Sequence, residues 1–211
     1  MGLCKTSICN QGKSLPSDHF TLHGVWPTDA GGSQISNCKG KDDFSYTKLK
    51  DLKPLITNVW PSFQMAEKDF WQYQWNKHGT CSELDFSDYF ERSLALAKKC
   101  THKLYQALAQ NGIRPSPIAD MKSSHTPLVK AYYDATYASL NLIPKIKCIS
   151  TPDGKMYLLE IHLCASFDLM NFKNCSVMES SFNYDNCGSF QQISSMVTKA
   201  IYYHDPKKVV V

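Results

Sequence analysis

Three side chains near the middle of the chain are of types that move protons and hold anions. They lie in Phe70–Cys81, FWQYQWNKHGTC. Read as a short amphipathic helix, this stretch brings Gln74, Lys77 and His78 to one face, because residues three and four apart on a helix are neighbours. An amide, a fixed cation and a titratable imidazole then share one surface. Trp71 and Trp75 fall on a second, apolar row that can anchor the helix in a core. Gly79 suits the left-handed position that ends a helix, and Cys81 offers a covalent tether just past it. A second imidazole, His23, sits in Phe20–Pro27, FTLHGVWP. One imidazole can remove a proton while another supplies one, at near-neutral pH. A lysine beside one of them can offset charge developing on a phosphoryl oxygen. These residue types therefore suit acid–base work on an anionic substrate. Seven histidines leave many pairs open on composition alone; the contexts of His23 and His78 distinguish them.

Several elements must position these groups. Residues 20–26 read as a strand ended by Pro27. Alternation would put Phe20, Leu22 and Trp26 on one face and Thr21, His23 and Val25 on the other. Leu49, Leu52, Ile56 and Val59 recur at helical spacing, and Pro54 should divide or kink that run. Ser87 suits the N-cap of a long helix, Ser87–Gln110, with Phe90, Leu94, Ala97, Thr101, Leu104 and Leu108 as its apolar stripe. A further helix is expected over Pro127–Ser139. Lys145–Ser150 and Lys155–Cys164 read as strands joined by the turn Thr151–Gly154. In the second strand Leu158, Glu160 and His162 share a face, and His162 reads as a strand histidine satisfied within the fold. Residues 188–211 are ambiguous: Ile193, Val197 and Ile201 allow a helix. No repeat or linker divides the 211 residues, so one α+β domain over 1–211 is expected. Its antiparallel sheet would pack with several helices and be stabilised by disulfides.

A hydrophobic content of 43% fits an ordinary globular protein. No apolar run approaches the roughly 18 residues that span a membrane, so no membrane partner is expected. The net charge of +4 permits attraction to a polyanion without demanding it. Nine cysteines without a CxxC pair suggest disulfides and an oxidising compartment rather than a metal centre; no metal and no cofactor is expected. The odd count leaves one cysteine over, and Cys100, inside the expected long helix, is the candidate. No apolar signal segment precedes Cys4, so the chain reads as a mature or truncated form.

FTLHGVWP and FWQYQWNKHGTC closely resemble the two active-site signatures of the ribonuclease T2 family, a His-Gly-x-Trp-Pro strand and a Trp-x-Lys-His-Gly-Thr/Ser-Cys helix end. They stand in the family's order, some 50 residues apart. The resemblance is to the plant S-RNase and S-like type, and it runs along most of the chain through the cysteines. It implies a metal-independent endoribonuclease acting on single-stranded RNA. His78 would be general base toward the ribose 2′-hydroxyl and His23 general acid toward the departing 5′-oxygen. Lys77 would stabilise the phosphorane-like transition state, with Gln74 beside it. Trp26, Tyr73 and Trp71 would lie against the substrate. The product would be a 2′,3′-cyclic phosphate, later opened to a 3′-phosphate, and the 2′-hydroxyl requirement would exclude DNA.

Similarity to plant members also implies the pairs Cys4–Cys9, Cys38–Cys81, Cys148–Cys187 and Cys164–Cys175. Cys100 is again left over, open to a disulfide between two otherwise monomeric chains. A secreted or vacuolar location follows. Asn174-Cys175-Ser176 is a glycosylation sequon with a disulfide cysteine at its centre. Three departures from the pattern point to reduced catalysis. Gln74 replaces the family's usual glutamate, Tyr73 replaces a third histidine found in many members, and almost nothing precedes Cys4 where a strand is usual. Two other roles use the same scaffold: a self-incompatibility ribonuclease, toward which the pI near 8.5 leans, and a weakly active storage or carbohydrate-binding relative.

Overall fold

The computed structural model describes residues 18–29, 34–40, 42–110, 128–150, 156–175 and 208–210, with 128–133, 148–150, 156–159 and 208–210 described by their backbone alone. In chain order the elements are β1 (Thr21–Leu22), a 3-10 turn (Thr47–Leu49), α1 (Lys53–Val59), α2 (Glu67–Lys77), a second 3-10 turn (Gly79–Cys81) and α3 (Phe86–Gln110). Then come α4 (Leu128–Leu140), β2 (Lys145–Ser150), β3 (Met156–His162), β4 (Cys164–Ala165), β5 (Phe172–Lys173) and β6 (Lys208–Val210). The class is α+β, as the periodicities predict.

The larger sheet has the order β1-β6-β3-β2. β2 and β3 form the expected antiparallel hairpin, with a register shift between Lys147 and Cys148. β6, drawn from the tail that sequence left ambiguous, lies between β1 and β3 and runs parallel to both. Leu22 and Ile161 thus share Val209 as a partner, which brings the end of β1 near the end of β3. That crossing joins residues more than a hundred positions apart, and no local pattern announces it.

The long helix forms because its stripe is apolar on one side. Phe90, Leu94, Ala97, Thr101, Leu104 and Leu108 are all buried, as predicted. Its start differs by one residue. Asp85 Oδ1 accepts from Asp88 N–H at 2.8 Å and Asp42 Oδ2 accepts from Phe86 N–H at 3.0 Å. Two carboxylates therefore cap the helix and suit its positive end, and Ser87 lies inside the first turn. The run through Pro54 is divided, as expected, into the 3-10 turn and α1, and Pro54 stands in the first turn of α1, where its missing N–H costs nothing.

The core is largely aromatic: Phe20, Trp60, Trp71, Trp75, Phe86, Tyr89 and Phe90 are fully buried or nearly so. Their polar atoms are used to hold backbone. Trp60 Nε1–H donates to His23 O at 3.0 Å and Tyr89 Oη–H to Val25 O at 2.9 Å. These bonds explain why β1 stops at Leu22. Beyond it, the carbonyls of His23 and Val25 are satisfied by core side chains in place of a strand ladder. The alternation expected over 20–26 therefore breaks, and Trp26 leaves the core face on which sequence placed it.

Candidate active site

His23 leaves the end of β1 with its ring 26% exposed. Its Nδ1 lies 2.5 Å from Glu160 Oε1 on β3. Glu160 is 3% exposed and also meets His162 Nε2 at 3.0 Å and Lys147 Nζ at 4.0 Å through Oε2. Burial alone would raise this carboxyl. Hydrogen bonds to His162 and His23 outweigh it and hold Glu160 well below the usual carboxylate range. A carboxylate on Nδ1–H stabilises positive charge on the His23 ring.

His78 is the cap of α2 and is buried. Burial chiefly, then the charges of Lys77 and His23, lower its pKa from 6.5 to about 4. Its Nδ1 lies 3.0 Å from Gln34 Nε2. The two ends of an amide are nearly isosteric, so Gln34 can serve this nitrogen as donor or, after a half-turn, as acceptor. Both histidines flank Trp26, with ring centroids 5.0 Å away for His23 and 5.6 Å for His78. His162 reaches the same indole from 5.8 Å.

The end of α2 is fixed from outside. The Cys38–Cys81 disulfide closes at an S–S distance of 2.09 Å, and Asn37 N–H donates to Lys77 O at 2.8 Å. Trp75 Nε1–H donates to Asp42 O at 3.1 Å. Gly79 is required here, though not for a left-handed cap. A Cβ at Gly79 would come within 2.3 Å of the Trp75 ring and 3.0 Å of Tyr89. Close packing, with no need for a positive φ, excludes a side chain there. Gly24 plays the matching part in the segment that follows β1. A Cβ there would sit 2.4 Å from Trp26 Nε1 and 2.6 Å from Gln74 Oε1.

The remaining predicted residues fall into three groups. Lys77 and Tyr73 belong together, since Lys77 Nζ donates to Tyr73 Oη at 2.7 Å. The tyrosine in the third-histidine position thus aims the lysine. Gln74 is buried, and among the described residues neither its Oε1 nor the buried Trp26 Nε1–H has a hydrogen-bond partner. Buried polar atoms are rarely left so, and both converge beside Gly24. Trp71 is a correction. It is fully buried, stacks on Tyr46 and donates Nε1–H to Trp60 O at 2.9 Å, so it supports the core and meets no substrate.

The sulfurs of Cys164 and Cys175 are bonded at 2.04 Å. Cys4–Cys9 lies outside the described residues, as does Cys187 of the Cys148–Cys187 pair. Cys100 is free, as expected, but a disulfide between chains through it is ruled out by its surroundings. It is fully buried in α3, and burial pushes its thiol up to about 12. Asn174 is exposed, and its Oδ1 accepts from Ile143 N–H at 3.0 Å; Ser176 of the sequon lies outside the described residues.

Sequence reasoning missed Glu160 and Gln34. Glu160 had one signal, its place two residues before His162 on one face of a strand. Gln34 had none.

Two imidazoles in opposite electrostatic settings, a cation and an α+β frame define a scaffold suited to acid–base phosphoryl chemistry. The profile of the Ribonuclease T2 family matches residues 1–175. "Ribonuclease 3" of Arabidopsis thaliana is 32% identical over 178 residues, covering 82% of this chain and 76% of the relative. A "Ribonuclease-like storage protein" of Panax ginseng is 29% identical over 187 residues, covering 87% and 74%. Among solved structures, RNase NT in complex with 5′-AMP superposes with a TM-score of 0.69 at 25% identity, covering 86% of each chain. The chain belongs to the ribonuclease T2 family. It is a T2-type endoribonuclease.

Proposed function

We propose that the chain cleaves single-stranded RNA by transphosphorylation, with His78 as base and His23 as acid. His78 takes the proton of a ribose 2′-hydroxyl, and the 2′-oxygen attacks the adjacent phosphorus. The bond from phosphorus to the 5′-oxygen breaks, and His23 gives its proton to that oxygen. A 2′,3′-cyclic phosphate results. Water then opens it to a 3′-phosphate with the two roles exchanged. Lys77, aimed by Tyr73, offsets charge on the phosphoryl oxygens. The unpartnered Trp26 Nε1–H is a donor that a phosphoryl oxygen would satisfy, and a half-turned Gln74 amide is another.

One observation carries this assignment: His23 has a buried carboxylate on Nδ1, whereas His78 is buried and lowered to about 4. A histidine held neutral in mildly acidic water is a ready base. One backed by a carboxylate is a ready acid. The disulfides favour a secreted or vacuolar setting. The test is phosphorus NMR of RNA incubated with the chain in the presence of a chelator. A cyclic-phosphate signal is expected from the wild type. His78→Ala and His23→Ala should each lower its rate by roughly 10²- to 10⁴-fold. Equal rates in all three proteins would refute the assignment.

A second reading, a weakly active storage relative, draws on the buried neutral Gln74 and on the similarity to the ginseng storage protein. Wild-type cleavage no faster than that of His78→Ala would favour it.

A further inference from the structure

Away from the paired histidines, a second cluster of donors gathers where the chain enters β1. Asp18, His19 and His102 each offer a ligand atom, and these atoms all lie within 4.8 Å of one another. His19 is buried at 4% exposure, while Asp18 and His102 are exposed. The His19 and His102 rings face each other with centroids 4.9 Å apart.

His19 has the surroundings of a metal-binding imidazole. Its Nε2 points at the Asn58 carbonyl, 3.4 Å away. With an ion held at Nδ1, Nε2–H would donate to that carbonyl, the usual second partner of a metal-binding imidazole. Nδ1 itself faces Asp18 Oδ1 at 2.7 Å. At that distance Nδ1–H donates to the carboxylate, and an ion binding there would displace the proton. Two imidazoles and one carboxylate suit a borderline-soft ion. Tetrahedral zinc holds its nitrogen and oxygen donors roughly 3.4 Å apart. Asp18 would open from 2.7 Å to that spacing and His102 would turn toward it, movements that exposed side chains can make, with buried His19 as the fixed anchor.

We propose that Asp18, His19 and His102 form a divalent transition-metal site of the zinc type, with water as the fourth ligand. The ion would tie the segment entering β1 to α3. It would brace the segment that leads through β1 to His23, which lies four residues on, roughly 13 Å along an extended chain. It takes no part in cleaving RNA.

The test is calorimetric titration of the metal-free full chain with Zn²⁺, for wild type, His102→Ala, Asp18→Asn and His78→Ala. Wild type should bind one equivalent and gain thermal stability that a chelator removes. His102→Ala should bind at least about tenfold more weakly and lose the thermal gain. Asp18→Asn, exposed and outside the core, gives an independent reading in the same direction, and His78→Ala should bind as wild type does. The proposal is overturned if no zinc binds, if His102→Ala and Asp18→Asn bind like wild type, or if His78→Ala alone abolishes binding. The last outcome would move the ion to the paired histidines.

Discussion

His23 and His78 pack against the same indole yet sit in opposite surroundings. His23 is partly exposed and rests its Nδ1 on a buried carboxylate shared with His162 and Lys147. His78 is buried beside a lysine, and an uncharged amide faces its Nδ1. The side chain is identical, so the surroundings alone divide the roles. Glu160 favours charge on one ring, while burial and Lys77 disfavour it on the other.

Short of removing either histidine, the largest change should come from filling the space both sides depend on. Gly24→Ala would drive a methyl group into Trp26 and Gln74 at once. A misplacement of about 1 Å can cost on the order of 10²-fold. We expect kcat/KM to fall by roughly that factor while the far-ultraviolet circular dichroism stays unchanged. Near-wild-type activity would show that the indole and amide need no fixed position. A smaller effect should follow Glu160→Gln, which keeps the shape and removes the charge. We expect roughly a tenfold fall in kcat and an alkaline limb of the pH–rate profile moved to lower pH, because His23 then loses its proton more easily. An unmoved limb would mean that Glu160 only packs. The smallest effect, a few-fold rise in kcat, is expected from Gln74→Glu, which restores the carboxylate usual in the family and with it a group that can exchange a proton. A fall would show that the buried site tolerates no further charge beside His78.

Much of this site was legible because it is local. Helical spacing alone puts Gln74, Lys77 and His78 together, and the stripe of α3 follows from its own periodicity. What sequence misplaced has a tertiary cause. Trp26 left its predicted face because Trp60 and Tyr89, not a neighbouring strand, take up the carbonyls of His23 and Val25. Trp71 belongs to the core because α2 turns that edge toward Tyr46 and Trp60. Glu160 reaches His23 only through the β1-β6-β3 order, which depends on three residues near the C-terminal end. Gln34 reaches His78 only once the Cys38–Cys81 bridge and the Asn37–Lys77 bond have folded its loop against α2.

The lowered pKa of His78 also has a stability consequence. Between pH 6.5 and about 4 the unfolded chain binds a proton at His78 that the folded chain does not. Stability should therefore fall as pH drops through that window and be unaffected by this group above it. The most direct measurement is an NMR titration of the histidine ring nitrogens, assigned by His23→Ala and His78→Ala. We expect the His78 ring to stay neutral until pH approaches about 4 and the His23 ring to hold its proton to distinctly higher pH. Coincident titration of the two rings near pH 6.5 would contradict the division of roles that the site is built on.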